Sequence, residues 1–373
     1  MSKLAKLTAL AGASALVLAG CAANEAEVTP TASSTDSTST EAPALSGTLD
    51  GSGASSMAAG QEAWVAAFQN ANPGVTVNYN PTGSGTGRDQ FEEGLTFFTG
   101  SDSSFKDEEL ATPHPNCSPA DGDVFEFPVW ISPIAVFFNL EGIDSLNMTP
   151  ATIASIFANQ ITNWSDPAIA ADNPGVDLPD LAITPAFRSD DSGTTENFTD
   201  WLAKAAPNAW VKDGENVGAI EEWPFLGEGA QGTSGVVAAV AAGNGTIGYA
   251  DASRVGDFGT VAVGVGSEFV PFSPEAAAKI VDVSSVKPGR PDTTVAYDLA
   301  RDTTESGVYP VVLVSYLQGC MDYADDAQAE LVKAYAGFII SEEGQAVAAE
   351  AAGSAPISPA TREIAQAILD QVQ

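Results

Sequence analysis

The chain has 373 residues, 44% hydrophobic and 17% charged, which is enough to bury a sizeable core and excludes collagen, coiled coil and wholesale disorder. Its 14 Lys and Arg face 49 Asp and Glu, and the resulting net charge of −35 repels nucleic acids and anionic lipids, which argues against a nucleic-acid partner. A single histidine, His114, and three cysteines leave no residue set for a zinc or other His/Cys metal centre.

The first twenty residues have the pattern of an export signal. Two lysines precede a largely apolar run over residues 7–19, which is too short to span a membrane but has the length of a signal-peptide core. The run ends in Leu-Ala-Gly-Cys21, which resembles the lipobox of bacterial lipoproteins. We therefore predict a signal peptide over 1–20 and lipidation of Cys21, which would anchor the mature protein to the outside of the cell membrane.

Residues 21–45 are predicted to form a disordered tether. Eight of the ten residues from Thr31 to Thr40 are Ser or Thr. Such a segment cannot bury enough apolar surface to offset its ordering entropy. A coil of this length would hold the folded body roughly 25–30 Å from its anchor.

The other two cysteines form an even pair in an oxidising compartment. Cys117 and Cys320 are therefore predicted to form a disulfide. Two free buried thiols are the alternative.

The start of the folded body repeats a unit of strand, small-residue loop and helix. Strands are predicted over 45–49, 75–79 and 95–99. The segments that follow them are loop 1 (51–56), loop 2 (81–87) and loop 3 (100–102). Each loop is rich in glycine and in hydroxyl or carboxyl side chains, at the place where open α/β sheets bind ligands.

The central part contains a fourth unit of this kind. A strand is predicted over 181–187, loop 4 over 188–195, and a helix over 196–205. Before it, two apolar segments over 124–127 and 131–138 stand beside prolines, which predicts two strands that bend or change domain there.

The remaining elements are a mixture of helices and one strand. Thr149-Pro150 has the pattern of a helix start. A strand is predicted over 246–249, and amphipathic helices over 327–339, 342–351 and 359–372. The alternation of strands and helices predicts an α/β fold.

Loops 1 to 4 form a candidate site for an oxyanion. The first amides of a helix have no intrahelical partner, and the helix dipole is positive at that end. The loops add hydroxyl, guanidinium and carboxyl groups from Ser55, Ser84, Asp102, Arg188, Ser192 and Thr194. This set of donors with one acceptor suits a small tetrahedral oxyanion.

In order and approximate spacing, the four loops resemble the signature loops of the phosphate-binding protein of the bacterial ABC-type phosphate importer. Further similarity covers nearly all of residues 46–360. The resemblance implies a two-lobe α/β fold of the periplasmic-binding-protein (type II, Venus-flytrap) kind, with the ligand cleft between the lobes. Lobe I would hold residues 46–129 plus 309–373, and lobe II residues 130–308.

The resemblance also implies which residues hold the phosphate. The matching positions are Ser55, Ser56, Ser84, Asp102, Arg188, Ser192, Gly193 and Thr194. Ser56 would give a backbone amide, Asp102 would accept a proton from the ligand, and Asp190 would be the salt-bridge partner of Arg188. Ser55 and Ser56 stand where the family often has Thr and Phe, so the donors are kept but the apolar wall is thinner.

Each of these residues also has a structural interpretation when it is taken alone. Ser55 and Ser84 are typical of helix N-caps, and loop 2 is typical of a turn. Asp102 alone is typical of a capping or surface aspartate. Arg188 with Asp190 is typical of a structural ion pair.

Three large side chains outside the candidate site are expected to have structural roles. Trp164 and Trp201 are more typical of core residues or surface cover than of ligand contacts. Arg88 is expected to be a solvated helix residue that balances Glu92.

The expected function is extracytoplasmic, high-affinity binding of inorganic phosphate by a monomer without cofactor or metal, with delivery to the permease subunits of an ABC importer. The alternatives are a receptor for another tetrahedral oxyanion, such as sulfate or molybdate, and a surface interaction module on the same scaffold. An enzyme is not expected, because the chain has no Gly-x-Ser-x-Gly motif and its one histidine precedes Pro115 in a predicted loop. Loop 2 also lacks the Gly-Lys-Ser/Thr of a nucleotide-binding loop.

Overall fold

A computed structural model describes residues 44–119 and 122–373. The predicted signal peptide, the lipidation site at Cys21 and the tether up to residue 43 lie outside the described residues. In the part that is described, no helix combines the length and the apolar character needed to cross a lipid bilayer.

The N-terminal part of the described chain alternates strands and helices. Its elements are β1 (Gly47–Gly53), α1 (Ala58–Ala71), β2 (Val75–Asn80), α2 (Ser84–Glu92), β3 (Phe98–Ser101) and α3 (Asp107–Leu110). The strands predicted over 45–49 and 95–99 are displaced toward the loops, because glycines let β1 and β3 pair closely there. A side chain at Gly53 would collide with the carbonyl of Gly100.

Helix α2 begins at Ser84, inside the predicted loop 2 (81–87). Gly83 makes this possible, because its φ of 110° reverses the chain directly before the helix.

The central part contains a long strand and a series of shorter elements. They are β4 (Val124–Phe138), β5 (Ser145–Met148), α4 (Pro150–Phe157), α5 (Pro167–Asp172), β6 (Thr184–Arg188), α6 (Gly193–Ala205), β7 (Val211–Lys212), β8 (Glu215–Asn216), β9 (Glu228–Ala230), α7 (Gly232–Ala242) and β10 (Thr246–Asp251). The helix start at Thr149 is confirmed, since its hydroxyl accepts from the amide of Thr152. The two apolar segments predicted as strands over 124–127 and 131–138 are both strand, but they form one strand and not two.

Strand β4 is continuous over 15 residues in spite of its prolines. In its pairing with the later strand over 312–320, Trp130 lies opposite Ser315 and Pro128 lies opposite Tyr316. Val129 is therefore an extra residue, and such a bulge accommodates a proline without ending the strand.

The C-terminal part adds a long central strand and three helices. Its elements are β11 (Gly259–Val265), β12 (Glu268–Val270), α8 (Pro274–Asp282), β13 (Ser285–Val286), β14 (Tyr297–Asp298), β15 (Val312–Cys320), α9 (Asp326–Ile340), α10 (Glu342–Ala352) and α11 (Pro359–Leu369). The three predicted helices are confirmed to within three residues at each end. Strand β15 was not among the predicted elements.

The main sheet has the strand order β2-β1-β3-β15-β4-β10-β6-β9, and β11 joins it through β4. Strands β1, β2 and β3 are parallel to one another, as are β6, β9 and β10. Strands β15 and β4 run antiparallel between these two groups. The predicted α/β class is therefore confirmed.

Buried apolar side chains form two large clusters along this sheet. One draws on residues 49–131 and 317–372, and the other on residues 134–316. Strands β4 and β15 contribute to both clusters. As expected, Trp164 and Trp201 are core residues of the second cluster.

The predicted disulfide between Cys117 and Cys320 is confirmed. It joins the segment before β4 to the end of β15, with the two Cα atoms 5.3 Å apart. Both cysteines are buried in the first apolar cluster.

Candidate anion-binding site

The structure brings loops 1 to 4 together where β1, β2, β3 and β6 end. Loop 1 is tied to loop 3, because the amide of Ala54 donates to the carbonyl of Gly100 at 2.8 Å. Loop 2 reaches loop 4, because the amide of Gly85 donates to the carbonyl of Asp191 at 3.4 Å. The first turns of α2 and α6 therefore lie side by side.

The carboxylate of Asp102 lies at the centre of this junction and is only 3% exposed. It accepts hydrogen bonds from the hydroxyls of Ser56 at 2.7 and 2.8 Å, Thr194 at 2.8 Å and Ser315 at 2.7 Å. Burial raises the pKa of Asp102, while these three hydroxyls and the charge of Arg188 act in the opposite direction. The interpretation of Asp102 as a surface or capping aspartate is wrong.

The guanidinium of Arg188 is buried beside Asp102 and is oriented by Asp190. Its Nε donates to Asp190 at 2.7 Å, and Nη2 binds the second carboxylate oxygen. Burial alone would raise the pKa of Asp190, but the pairing with Arg188 lowers it below its ordinary value. The remaining Nη1 is 3.5 Å from the hydroxyl of Thr194, so this end of the guanidinium points toward α6.

The first turn of α6 packs directly on the Asp102 loop. Ser192 caps the helix, since its hydroxyl accepts from the amide of Thr195 at 3.2 Å. A Cβ at Gly193 would lie 2.6 Å from the hydroxyl of Ser84 and 2.8 Å from the Cβ of Asp102. Glycine is therefore required for this approach.

Ser84 and Ser55 do not act as the helix caps that they resemble. Ser84 is the first residue of α2 and its hydroxyl accepts from the amide of Asp102 at 3.1 Å. Ser55 lies at the start of α7, where its hydroxyl accepts from the amide of Thr233 at 3.1 Å. The structure thus joins Ser56, Ser84, Asp102 and the α6 start directly, whereas Ser55 contacts the start of α7.

Comparison with known proteins shows the family to which the chain belongs. The chain matches the PBP superfamily domain over residues 37–343. It is 34% identical over 298 residues to phosphate-binding protein PstS 3 of Mycobacterium leprae (strain TN), covering 77% of each chain. It is also 34% identical over 331 residues to phosphate-binding protein PstS 3 of Mycobacterium tuberculosis (strain ATCC 25618 / H37Rv), covering 87% of this chain and 86% of that protein.

The chain belongs to the PstS family of phosphate-binding proteins. Its fold is the mixed α/β fold of periplasmic binding proteins, since it superposes with a TM-score of 0.69 on a high-affinity periplasmic phosphate-binding protein (PfluDING). That match is 21% identical and covers 86% of this chain and 93% of the other. The PstS family consists of binding proteins, which confirms the prediction that the chain is not an enzyme.

The candidate site of this PstS-family chain includes residues that the sequence did not predict. Gly232 and Thr233 at the start of α7 bind Asp190 and Ser55 through their amides, at 3.0 and 3.1 Å. They follow β9 in the same strand, small-residue and helix pattern as the other loops, so a signal was present. Ser315 carries no such signal, because it is one serine in an apolar strand.

The environment of Arg88 differs from the one expected. It is not a solvated partner of Glu92 but is 1% exposed, and it pairs with Glu109 at 2.9 Å and Glu221 at 3.0 Å. The charges of Glu221 and Glu109 outweigh the effect of burial and raise its pKa. Both partners are distant in sequence, so spacing along the helix did not predict them.

Proposed function

We propose that the protein binds inorganic phosphate in the site around Asp102 and delivers it to the permease subunits of an ABC-type phosphate importer. The observation that carries this proposal is the buried Asp102 carboxylate, which three hydroxyls and the Arg188 guanidinium surround in a PstS-family chain. Hydroxyls rotate freely and can both donate and accept, so those of Ser56 and Thr194 can turn from Asp102 to an entering oxyanion.

The phosphate ligands in this proposal are Ser55, Ser56, Ser84, Asp102, Arg188, Ser192, Gly193 and Thr194. The net charge of −35 repels an anion at long range, so short-range dipoles and Arg188 must supply the attraction. The Nη1 of Arg188, already aimed at Thr194, would donate to a phosphate oxygen together with the first amides of α6.

Asp102 would distinguish phosphate from sulfate. A protonated phosphate oxygen can donate a hydrogen bond to the carboxylate, whereas fully ionised sulfate has no proton to offer and would face an unpaired buried charge. Sites that reject an analogue in this way discriminate by roughly 10⁴ to 10⁵.

The protein is proposed to close on its ligand as two lobes, with residues 46–129 and 309–373 in lobe I and residues 130–308 in lobe II. The two apolar clusters support a division into two lobes, since they separate on β4 between Ile131 and Ile134 and on β15 between Tyr316 and Leu317. On β15 this separation falls eight residues after the proposed boundary at 308/309. Ser84 and Asp102 would then lie on lobe I, and Arg188 and Thr194 on lobe II. Closure would be driven by contacts that exist only when both lobes face the anion.

The protein is proposed to act as a monomer outside the cytoplasm, anchored through a lipid on Cys21. The support is the lipobox-like sequence before Cys21 and the buried disulfide, which is typical of oxidising compartments.

Equilibrium dialysis of the purified full chain with labelled phosphate tests the function. We expect a Kd below about 1 μM and a loss of at least about 100-fold in Arg188→Gln. Arg362→Gln, which removes a charge from an outer ion pair with Glu342, is the matched control and should bind as the wild type does. Absence of phosphate binding would refute the proposal, and sulfate competing equally would favour a receptor for another oxyanion.

A further inference from the structure

Charged side chains beside the anion site connect the two proposed lobes. Arg88 and Lys106 belong to lobe I, and Glu221 belongs to lobe II. The Nη2 of Arg88 is 3.0 Å from one carboxylate oxygen of Glu221, and the Nζ of Lys106 is 2.7 Å from the other. Both oxygens of Glu221 are thus bound by the opposite lobe.

Arg88 is held firmly on its own side of the cleft. Its Nε donates to Glu109 at 2.9 Å, and its Nη1 donates to the hydroxyl of Ser101 at 3.0 Å. That hydroxyl donates to the carbonyl of Ser103 at 2.7 Å, so Arg88 braces the two residues that flank Asp102. Arg88 also lies one helical turn after Ser84 on α2.

Glu221 is connected to the other half of the site. The neighbouring Ile220 is tied to α6, because its amide donates to the hydroxyl of Thr199 at 2.9 Å and its carbonyl accepts from the same hydroxyl at 3.1 Å. The first turn of α6 holds Gly193 and Thr194 against Asp102. Displacement of Glu221 is therefore transmitted through Ile220 and Thr199 to helix α6.

We propose that the ion pair between Arg88 and Glu221 is a latch that holds α6 against the Asp102 loop and so sets the residence time of the bound anion. The inference rests on the proposed function and names positioning residues for its site, because neither Arg88 nor Glu221 is among the proposed phosphate ligands. On opening, Arg88 keeps Glu109 and Ser101 as partners and is not left unpaired. Of these three contacts of Arg88, the pair with Glu221 is the one that crosses between the proposed lobes.

The two cationic partners of Glu221 do not contribute equally. Arg88 is buried, whereas Lys106 is 44% exposed and its pairing is weakened by solvent. Burial raises the pKa of Glu221, but the charge of Arg88 and the bond from Lys106 lower it below its ordinary value, so Glu221 is ionised near neutral pH. The latch is therefore assigned to Arg88 and Glu221.

Stopped-flow phosphate kinetics on the full chain test the latch through Glu221→Gln, which keeps the shape of the side chain and removes its charge. We expect the phosphate dissociation rate to rise roughly tenfold while the association rate changes by less than about twofold. Glu342→Gln is the matched control, because it removes one charge from the Arg362 pair within lobe I. Lys106→Gln should raise the dissociation rate by less than about threefold.

Amide hydrogen exchange separates a latch from a merely structural ion pair. The amides of Gly85 and Thr233 donate to Asp191 and Ser55 on the opposite lobe, so their exchange reports opening. We expect both to exchange faster in Glu221→Gln, with an unchanged free energy of unfolding. If the wild type does not bind phosphate, the proposed function fails. If it binds and Glu221→Gln changes neither the dissociation rate nor these amides, the latch alone is refuted.

Discussion

Asp102 receives hydroxyl hydrogen bonds from three separate parts of the chain, namely loop 1, α6 and β15. These hydrogen bonds hold the buried carboxylate in one orientation, so it can accept a further hydrogen bond only from a fixed direction. Its pKa is raised by burial, yet the hydroxyls and Arg188 favour the charged form that an acceptor requires. The proposed selectivity follows from this one group.

Replacing Asp102 by Asn should remove the selectivity. An amide can donate to sulfate as well as accept from phosphate, so we expect the ratio of the sulfate Kd to the phosphate Kd to fall at least about 100-fold. Competition dialysis with both anions measures the ratio, and Asp370→Asn, at an exposed position, is the control. An unchanged ratio in Asp102→Asn would rule out the role proposed for Asp102.

Asp251 is a second buried carboxylate, at the end of β10. One oxygen accepts from the amide and hydroxyl of Ser253, and the hydroxyl of Ser132 lies near the carboxylate. Burial raises its pKa from 3.8 to about 6. The folded protein therefore keeps this proton to a higher pH than the unfolded chain does.

Asp251→Asn is expected to stabilise the protein in a pH-dependent way. The raised pKa stabilises the folded state fully below about pH 4, and this contribution is lost as the pH rises through about 6. The variant should thus match the wild type near pH 4 and gain up to about 3 kcal/mol in free energy of unfolding above pH 7. Urea denaturation across this range measures the gain, and a constant difference at all pH values would contradict the prediction.

At the scale of elements, the start of α6 depends on a residue without a side chain. Gly193 has an ordinary helical backbone, so its role is to let α6 approach Ser84 and Asp102. The helix after loop 4 was predictable from sequence, because caps and small residues act locally, and α6 begins three residues before the predicted start at 196. The lengths of β1 and β4 were not predictable, since pairing with β3 and β15 sets where they end.

Gly193→Ala should weaken phosphate binding at least about tenfold without loss of stability. The added Cβ would force α6 away from Asp102, whereas alanine is a better helix former than glycine. Gly337→Ala is the control, because a Cβ in the middle of α9 would meet no atom within 4 Å. Calorimetric titration and thermal unfolding of both variants test this. Wild-type affinity in Gly193→Ala would show that α6 does not close on the Asp102 loop as proposed.

At the scale of the whole molecule, charge opposes the proposed ligand. The chain carries a net charge of −35, and the cations near the site are held in ion pairs with Asp190, Glu109 and Glu221. Approach of an anion is therefore slowed by the long-range field, while binding depends on donors that act over a few ångströms. Added salt screens the long-range repulsion more than it weakens the short-range hydrogen bonds.

Raising the NaCl concentration from about 20 to about 200 mM should therefore speed phosphate association by about two- to fivefold. Stopped-flow tryptophan fluorescence measures the rate, and the dissociation rate should change less because the site is buried. Association that slows with added salt would mean that the cleft attracts anions locally, against the sign of the net charge.

The sequence by itself was sufficient to predict the features that depend on residues close together in the chain. These include the four glycine- and hydroxyl-rich loops, the helix start at Thr149 and the acidic charge. The cysteine pair was predictable for another reason, namely the even number of cysteines besides Cys21 in an oxidising compartment. Packing decided the rest, because burial and pairing join residues far apart. Ser315 reaches Asp102 across 213 positions, and Arg88 reaches Glu221 across 133. Ser315 becomes part of the site only because β15 enters the sheet. Arg88, which the sequence alone presents as a solvated residue, becomes part of it only because α6 docks on loop 3.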